Sequence, residues 1–330
     1  MKKTIIILLI SAIVMGLAFA NGAVETSKGN LKVIATIFPQ YDWIREILGD
    51  NPAGIEVRLL LDNGVDLHNY QPSADDIVAI STCDLFVYVG GESDEWVEDV
   101  LESSSNRNMK TVNLIDALGS LVKEEEIKEG MQADDHEHDH EHEHEHEHEE
   151  EAEYDEHVWL SLRNAKVLCA AIESALETID PANATVYRTN LDSYVGKLDL
   201  LDREYSDAVG GSSFRTLLFG DRFPFRYMVD DYGLDYYAAF IGCSAETEAS
   251  FETIAFLVSK VDSLGLRNVM TIDGSDRKIA RTIVENSRSK DLGILTLNSL
   301  QTVSASDVKQ GISYLGVMQE NLGVLKKALN

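Results

Sequence analysis

The chain has little that would cross-link it, anchor it or charge it positively. Its 330 residues include three cysteines, Cys83, Cys169 and Cys243, an odd number that leaves at least one outside any internal disulfide. None follows the N-terminal apolar run, so a lipid anchor of the lipobox kind has no expected attachment point. Positive charge is scarce too: 28 Lys and Arg stand against 57 Asp and Glu, for a formal net charge of −29. That balance excludes nucleic acid and anionic membrane surfaces as natural partners and favours cations. The N-terminal apolar run from Ile5 to Leu17 is too short to span a bilayer comfortably. His-Glu-x-x-His spacing occurs only inside the alternating His tract, as at His136-Glu137-His138-Asp139-His140, where the repeat itself produces it; with no such motif elsewhere a zinc hydrolase is disfavoured, and no enzymatic activity is expected.

Histidine, by contrast, is concentrated in one place. His136, His138, His140, His142, His144, His146 and His148, seven of the nine in the chain, alternate with Glu or Asp. The stretch 134–156 around them holds 14 carboxylates and no Lys or Arg. Only Ala152 and Tyr154 are apolar there, too little burial to offset the entropy of ordering the segment, so it is expected to stay solvated. An imidazole at every second position, flanked by carboxylates, makes overlapping weak sites for zinc-like ions. An acidic linker is the plainer reading, but linkers draw on Ser, Gly, Lys and Glu. Metal handling is the stronger expectation.

The N-terminus reads as a secretory signal: Lys2 and Lys3, the apolar run, then Ala18-Phe19-Ala20 before Asn21. Residues 1–20 are expected to be cleaved and 21–30 to form a polar connector, releasing a soluble periplasmic monomer; an uncleaved anchor is the alternative. Strands are expected at 31–37, 55–61, 85–89 and 110–114, with a helix over 40–49 and another opened by Ser73, with Asp76 in the capping-box position. Cys169 shares a helical face with Leu162, Ala165, Ile172 and Leu176, which assigns it to packing, and none of the three cysteines reads as a redox centre. Tyr187, Leu191, Tyr194, Leu198, Leu201 and Tyr205 make one apolar stripe along a helix over 180–210. Further strands are expected at 214–219, 236–241, 268–272 and 292–297, with a helix over 223–232 among those between them. The fold class is α/β: two Rossmann-like lobes with parallel sheets, 31–179 and 211–330, joined by one long rigid helix, with a disordered acidic loop over 124–156.

Ligands of open α/β sheets gather at the carboxyl ends of the strands. Only His68 and His157 lie outside the tract, both in acidic, loop-like surroundings, while Asp221 and Asp273 follow strands of the second half. Together they offer two nitrogens and two oxygens across a cleft. Arg222 and Arg226 are placed to pair with Asp221 or Asp273, and each of those carboxylates has the plainer role of capping a helix. Tyr41, Trp43, Trp96 and Trp159 read as packing.

Thr36-Ile37-Phe38-Pro39, the stretch from Gly64 to Ser73 with His68 at its centre, Ala79 to Val89, and Asp155-Glu156-His157-Val158-Trp159-Leu160-Ser161 resemble the metal-receptor proteins of ABC transporters for zinc and manganese. The resemblance covers essentially the whole chain after the signal, including the His-rich insertion before the second ligand. It implies two lobes joined by a rigid helix, a metal at their interface, and delivery to a membrane permease. Carried over, His68 and His157 fall on the first two ligands and Asp273 near the second lobe's carboxylate. Where zinc members show Phe-His-Asp and manganese members Phe-Glu-Asp, this chain reads Phe219-Gly220-Asp221. The third ligand is then Asp221, Glu246, Glu248, a tract imidazole or water. Zn2+ is the expected ion, because an imidazole-rich tract suits a borderline acid; Mn2+ is the alternative, as is a periplasmic zinc buffer or adhesin.

Overall fold

Runs such as Leu85-Phe86-Val87, apolar without alternation and fully buried, mark strands covered on both faces, as parallel sheets flanked by helices require. The structure, a computed structural model, describes residues 30–132, 153–244 and 248–330. The signal segment, most of the connector, the tract histidines and Glu246 lie outside these residues.

Two four-stranded parallel sheets carry the fold. The first contains β1 (Lys32–Ala35), β2 (Glu56–Leu59), β3 (Leu85–Tyr88) and β4 (Lys110–Asn113) in the order β2-β1-β3-β4. The second contains β5 (Thr216–Phe223), β6 (Asp235–Ile241), β7 (Asn268–Ile272) and β8 (Gly293–Leu297) in the order β6-β5-β7-β8. The order is the same in both, so β2 corresponds to β6 and β1 to β5. In each sheet the reversal of strand order leaves a crevice at the carboxyl ends, which is where the candidate residues collect.

Residues 180–210 divide into a 3-10 turn at Pro181–Asn183 and the helix Ala184–Gly210. The predicted stripe from Tyr187 to Tyr205 is buried along its whole length, packed on the helices Phe38–Leu48, Leu162–Ile179 and Tyr314–Ala328. The last of these returns to the first lobe: Trp43 meets Tyr314 edge-on at 5.1 Å, and Asp42 accepts the Tyr314 N–H at 2.8 Å. The principal apolar core runs through both lobes, and a smaller one between β5, β6 and their outer helices belongs to the second.

Several local expectations differ from the structure. The strand expected at 214–219 runs on to Phe223, with a register shift between Phe219 and Arg222 that sets Gly220 and Asp221 out as a bulge. The following helix is shorter, Arg226–Tyr232. Both flanks of the loop expected over 124–156 are paired instead: Glu124 bridges Tyr154, Gln132 bridges Phe240 on β6, and Glu125 N–H donates to Glu153 O at 2.9 Å. Backbone pairing with the second sheet anchors one end of the insertion, an attachment that polarity along the chain does not reveal.

Candidate metal centre

The loop after β2 delivers His68. Asp66 caps the 3-10 turn Leu67–Asn69 by accepting the His68 N–H at 3.1 Å. Two residues on, the Tyr70 hydroxyl donates to Asp76 at 3.0 Å, and Asp76 also closes the capping box of the helix Ala74–Thr82 with Ser73. The capping box read from the sequence thus holds the His68 loop as well as starting a helix. His68 Nδ1 faces Ser93 Oγ at 2.8 Å and Glu156 Oε2 at 3.4 Å. Glu156 in turn accepts the Ser93 N–H at 2.8 Å. Only glycine fits at 91, where φ is +81° and a Cβ would lie 2.4 Å from the Glu156 carboxylate.

His157 is fully buried just before the 3-10 turn Val158–Leu160. Asp155 Oδ1 accepts its backbone N–H at 2.9 Å and lies 3.0 Å from its Nδ1. His157 therefore has Nδ1 bonded to a carboxylate, which assigns its proton to Nδ1 and leaves Nε2 with a lone pair, while His68 Nδ1 has the Ser93 hydroxyl as its hydrogen-bond partner. The two Nε2 atoms face each other at 3.1 Å. Nitrogens bound to one tetrahedral zinc at 2.0–2.1 Å stand about 3.3 Å apart, so the pair is spaced for a shared cation.

The second lobe closes the site with residues that sequence reading did not single out as ligands. Gln301, after β8, places Nε2 3.1 Å from His157 Nε2 and 3.3 Å from Asp66 Oδ1. Arg222, at the end of β5, forms an ion pair with Asp66 across the cleft. Cys243, after β6, completes a group in which its Sγ and one nitrogen of each imidazole all lie within 4.8 Å of one another. Gly242 permits this approach, since a Cβ there would stand 2.9 Å from the His157 ring. A search of every strand end for thiols and amides, in addition to His and Asp, would have found both Cys243 and Gln301.

The two carboxylates expected from the second lobe do not join this group. Asp221 accepts the Arg222 N–H at 3.0 Å and the Ile272 N–H at 3.4 Å, and burial pushes its carboxyl up. Asp273 accepts from Ser299 Oγ at 2.8 Å and Thr302 Oγ1 at 2.7 Å, tying the loop after β7 to that after β8. The bulge in β5 turns Asp221 toward its own sheet. Arg222 and Arg226 likewise differ from expectation: Arg222 pairs with Asp66, and Arg226 with Glu126 and Asp230. Glu248 is exposed. Trp43 and Trp159 are fully buried, as packing residues should be, and so are Cys83 and Cys169.

Burial, then the neighbouring His157 ring, pushes the His68 imidazole down to about 3, with Asp66 opposing and Arg222 reinforcing the shift. Protons therefore compete for His68 only well below the ordinary imidazole range. Because its folded pKa lies below the unfolded value of 6.5, the stability it contributes is complete above that pH and is lost as pH falls toward 3. Glu156 has the opposite sign: burial, opposed by the Ser93 hydrogen bonds, pushes it up to about 7, so its contribution is complete below 4.5 and lost as pH rises through 7. Burial also disfavours ionised Asp66, but Arg222 and His68 hold its carboxyl below the usual range. Chemical unfolding of metal-free His68→Gln and native chains from pH 7 to 4 separates the His68 effect. The variant's relative stability is expected to rise as pH falls; a constant difference would contradict the buried, neutral imidazole.

Comparison with known proteins agrees with this architecture. The family model described as ZnuA, zinc-uptake complex component A, periplasmic, matches residues 33–328. The zinc-binding lipoprotein AdcA of Streptococcus pneumoniae is 28% identical over 305 residues, covering 92% of this chain and 56% of its own length. This chain thus spans little more than half of that relative. The high-affinity zinc uptake system protein ZnuA of Bacillus subtilis is 28% identical over 316 residues, 95% of this chain and 92% of its own. The crystal structure of the Zn(II)-bound ZnuA-like domain of S. pneumoniae AdcA superposes with a TM-score of 0.69 at 25% identity, covering 91% of this chain and 99% of that domain. With a family match running from β1 into the C-terminal helix, and the two-lobed fold shared, the chain belongs to the ZnuA family of periplasmic zinc-uptake components.

Proposed function

We propose that the chain captures Zn2+ between its lobes, outside the cytoplasm, and passes it to the membrane permease of an ABC transporter. The mechanism is binding and release, without turnover. The observation that carries this reading is the pair of buried imidazoles whose Nε2 atoms face one another at 3.1 Å, with Nδ1 held by Ser93 in His68 and by Asp155 in His157. Two nitrogens so placed converge on a point where one cation can take a lone pair from each. His68 and His157 are the proposed ligands. Gln301, whose amide now lies against His157 Nε2, has to swing aside as the ion enters, and the Arg222–Asp66 pair holds the lobes together around it. The same reading makes the protein an extracytoplasmic monomer released by signal cleavage.

The histidine tract is proposed as a weak multi-ion antenna that raises the metal concentration near the site. Calorimetric titration of the full chain and of one lacking residues 134–150 tests the division of labour. Deletion is expected to leave one tight site and remove several weak ones. Loss of the tight site would move the assignment to the tract.

Asp155 provides a second test. Asp155→Asn keeps the shape but weakens the hydrogen bond that orients His157, and a loss of about 10–100-fold in zinc affinity is expected, as for other partners of ligating histidines. Unchanged affinity would show that the ring is held by packing alone.

A further inference from the structure

The position at which relatives of this kind are expected to supply a third imidazole is closed in this chain. A Cβ at Gly220 would lie 2.7 Å from both the backbone N and Cα of Ala280, in the helix Lys278–Asn286. No side chain enters the cleft from there without displacing that helix, and Asp221 and Asp273 are already engaged elsewhere. Two imidazoles alone leave a zinc ion short of the three protein ligands that its sites generally have.

We infer that Cys243 is the third metal ligand, binding as thiolate beside His68 and His157. This rests on the zinc-receptor reading and specifies its donor set. The Cys243 Sγ and one nitrogen of each ring already lie within 4.8 Å of one another, and sulfur and nitrogen on one tetrahedral zinc stand roughly 3.6 Å apart, a closure of at most about 1.2 Å. The placement follows the internal symmetry of the fold: His68 comes from the loop after β2, and Cys243 from the loop after β6, the corresponding strand of the other sheet. Gly242 lets that loop come down on the His157 ring. Glu125 holds it from the other side, accepting the Cys243 backbone N–H at 3.3 Å and bonding the thiol, and is the adjacent acceptor for the proton that coordination displaces.

A thiolate also decides which ion is captured. Soft sulfur favours zinc and cobalt over manganese, whose sites are built from oxygen. The donor set therefore discriminates by chemistry where the two-imidazole, two-carboxylate set read from the sequence would not.

Cobalt(II) titration of the full-length, metal-free protein is the test, because the tract contains no sulfur and only a thiolate ligand produces intense sulfur-to-cobalt absorption in the near ultraviolet. One equivalent of cobalt is expected to give that band in the native chain but not in Cys243→Ala. Cys243→Ala is also expected to weaken zinc binding about 10²-fold, an even share of a zinc site's binding energy, while manganese binding changes little. Zinc should slow alkylation of Cys243 by iodoacetamide in the native chain, a readout that needs no variant to fold. Absence of the band from the native chain, its persistence in Cys243→Ala, or alkylation unaffected by zinc would overturn the assignment. If the native chain binds one zinc tightly without the band, only the thiolate is wrong; if it binds no tight zinc, the receptor reading fails with it.

Discussion

His157→Ala is expected to weaken zinc binding by roughly 10²–10³-fold. Apparent binding energies of about 10–16 kcal/mol for a four-ligand zinc site give an even share of about 2.5–4 kcal/mol per ligand, and each 1.4 kcal/mol is about a factor of ten. This residue should show the full effect because it is fully buried and its Nδ1 is fixed by Asp155, so neither water nor a neighbouring side chain can take its place without rearrangement. His68, with slight exposure, is better placed for water to substitute. Competition with a chromophoric chelator measures the loss. Retention of one zinc at nanomolar concentration by a His68→Ala, His157→Ala double variant would falsify the site.

Trp159→Ala is expected to cost about 3–5 kcal/mol of stability, the range for deleting a buried aromatic from a packed interior. Trp159 is fully buried, its Nε1 donates to Ser299 O at 2.9 Å, and its own carbonyl accepts the Tyr314 hydroxyl at 2.7 Å. The first of these bonds joins the segment carrying His157 to the loop carrying Gln301. Removal therefore opens a cavity and strands a carbonyl at the seam between the lobes. Trp159→Phe keeps most of the volume and is expected to lose only about 1 kcal/mol, from the hydrogen bond. Urea unfolding of both metal-free variants distinguishes these values. A loss below about 1 kcal/mol for the alanine variant would mean that the seam repacks freely.

The alternation of apolar strands with helical spacing was enough to obtain two parallel α/β units and the buried stripe from Tyr187 to Tyr205, because these patterns are local and repeat at the period of the element. His68 and His157 were legible for a different reason. They are the only histidines outside the tract, and His68 lies in a loop where an acidic cap and a capping box turn it inward. The second lobe's contribution was not legible. Asp221 has the right chemistry after the right strand, yet a two-residue bulge sends its carboxylate to Ile272 and the neighbouring backbone. Bulges depend on how a strand meets its partner, and Gly220, which inside a strand can mark a bulge, reads equally as the strand's end.

By itself, the amino-acid order determined the fold class, the first lobe's pair of imidazoles, the acidic balance of charge, and the segregation of most histidine into one polar tract. Those follow from composition and short-range periodicity, which act within a few residues. Only the tertiary structure decided which groups converge on the imidazoles. Gln301 and Cys243 reach them from loops 86–233 positions away in the chain, and Arg222 reaches the neighbouring Asp66 from the end of β5, through contacts with no local period. It also decided that position 220 must be glycine, because the backbone of a helix sixty residues later occupies the space a side chain would need.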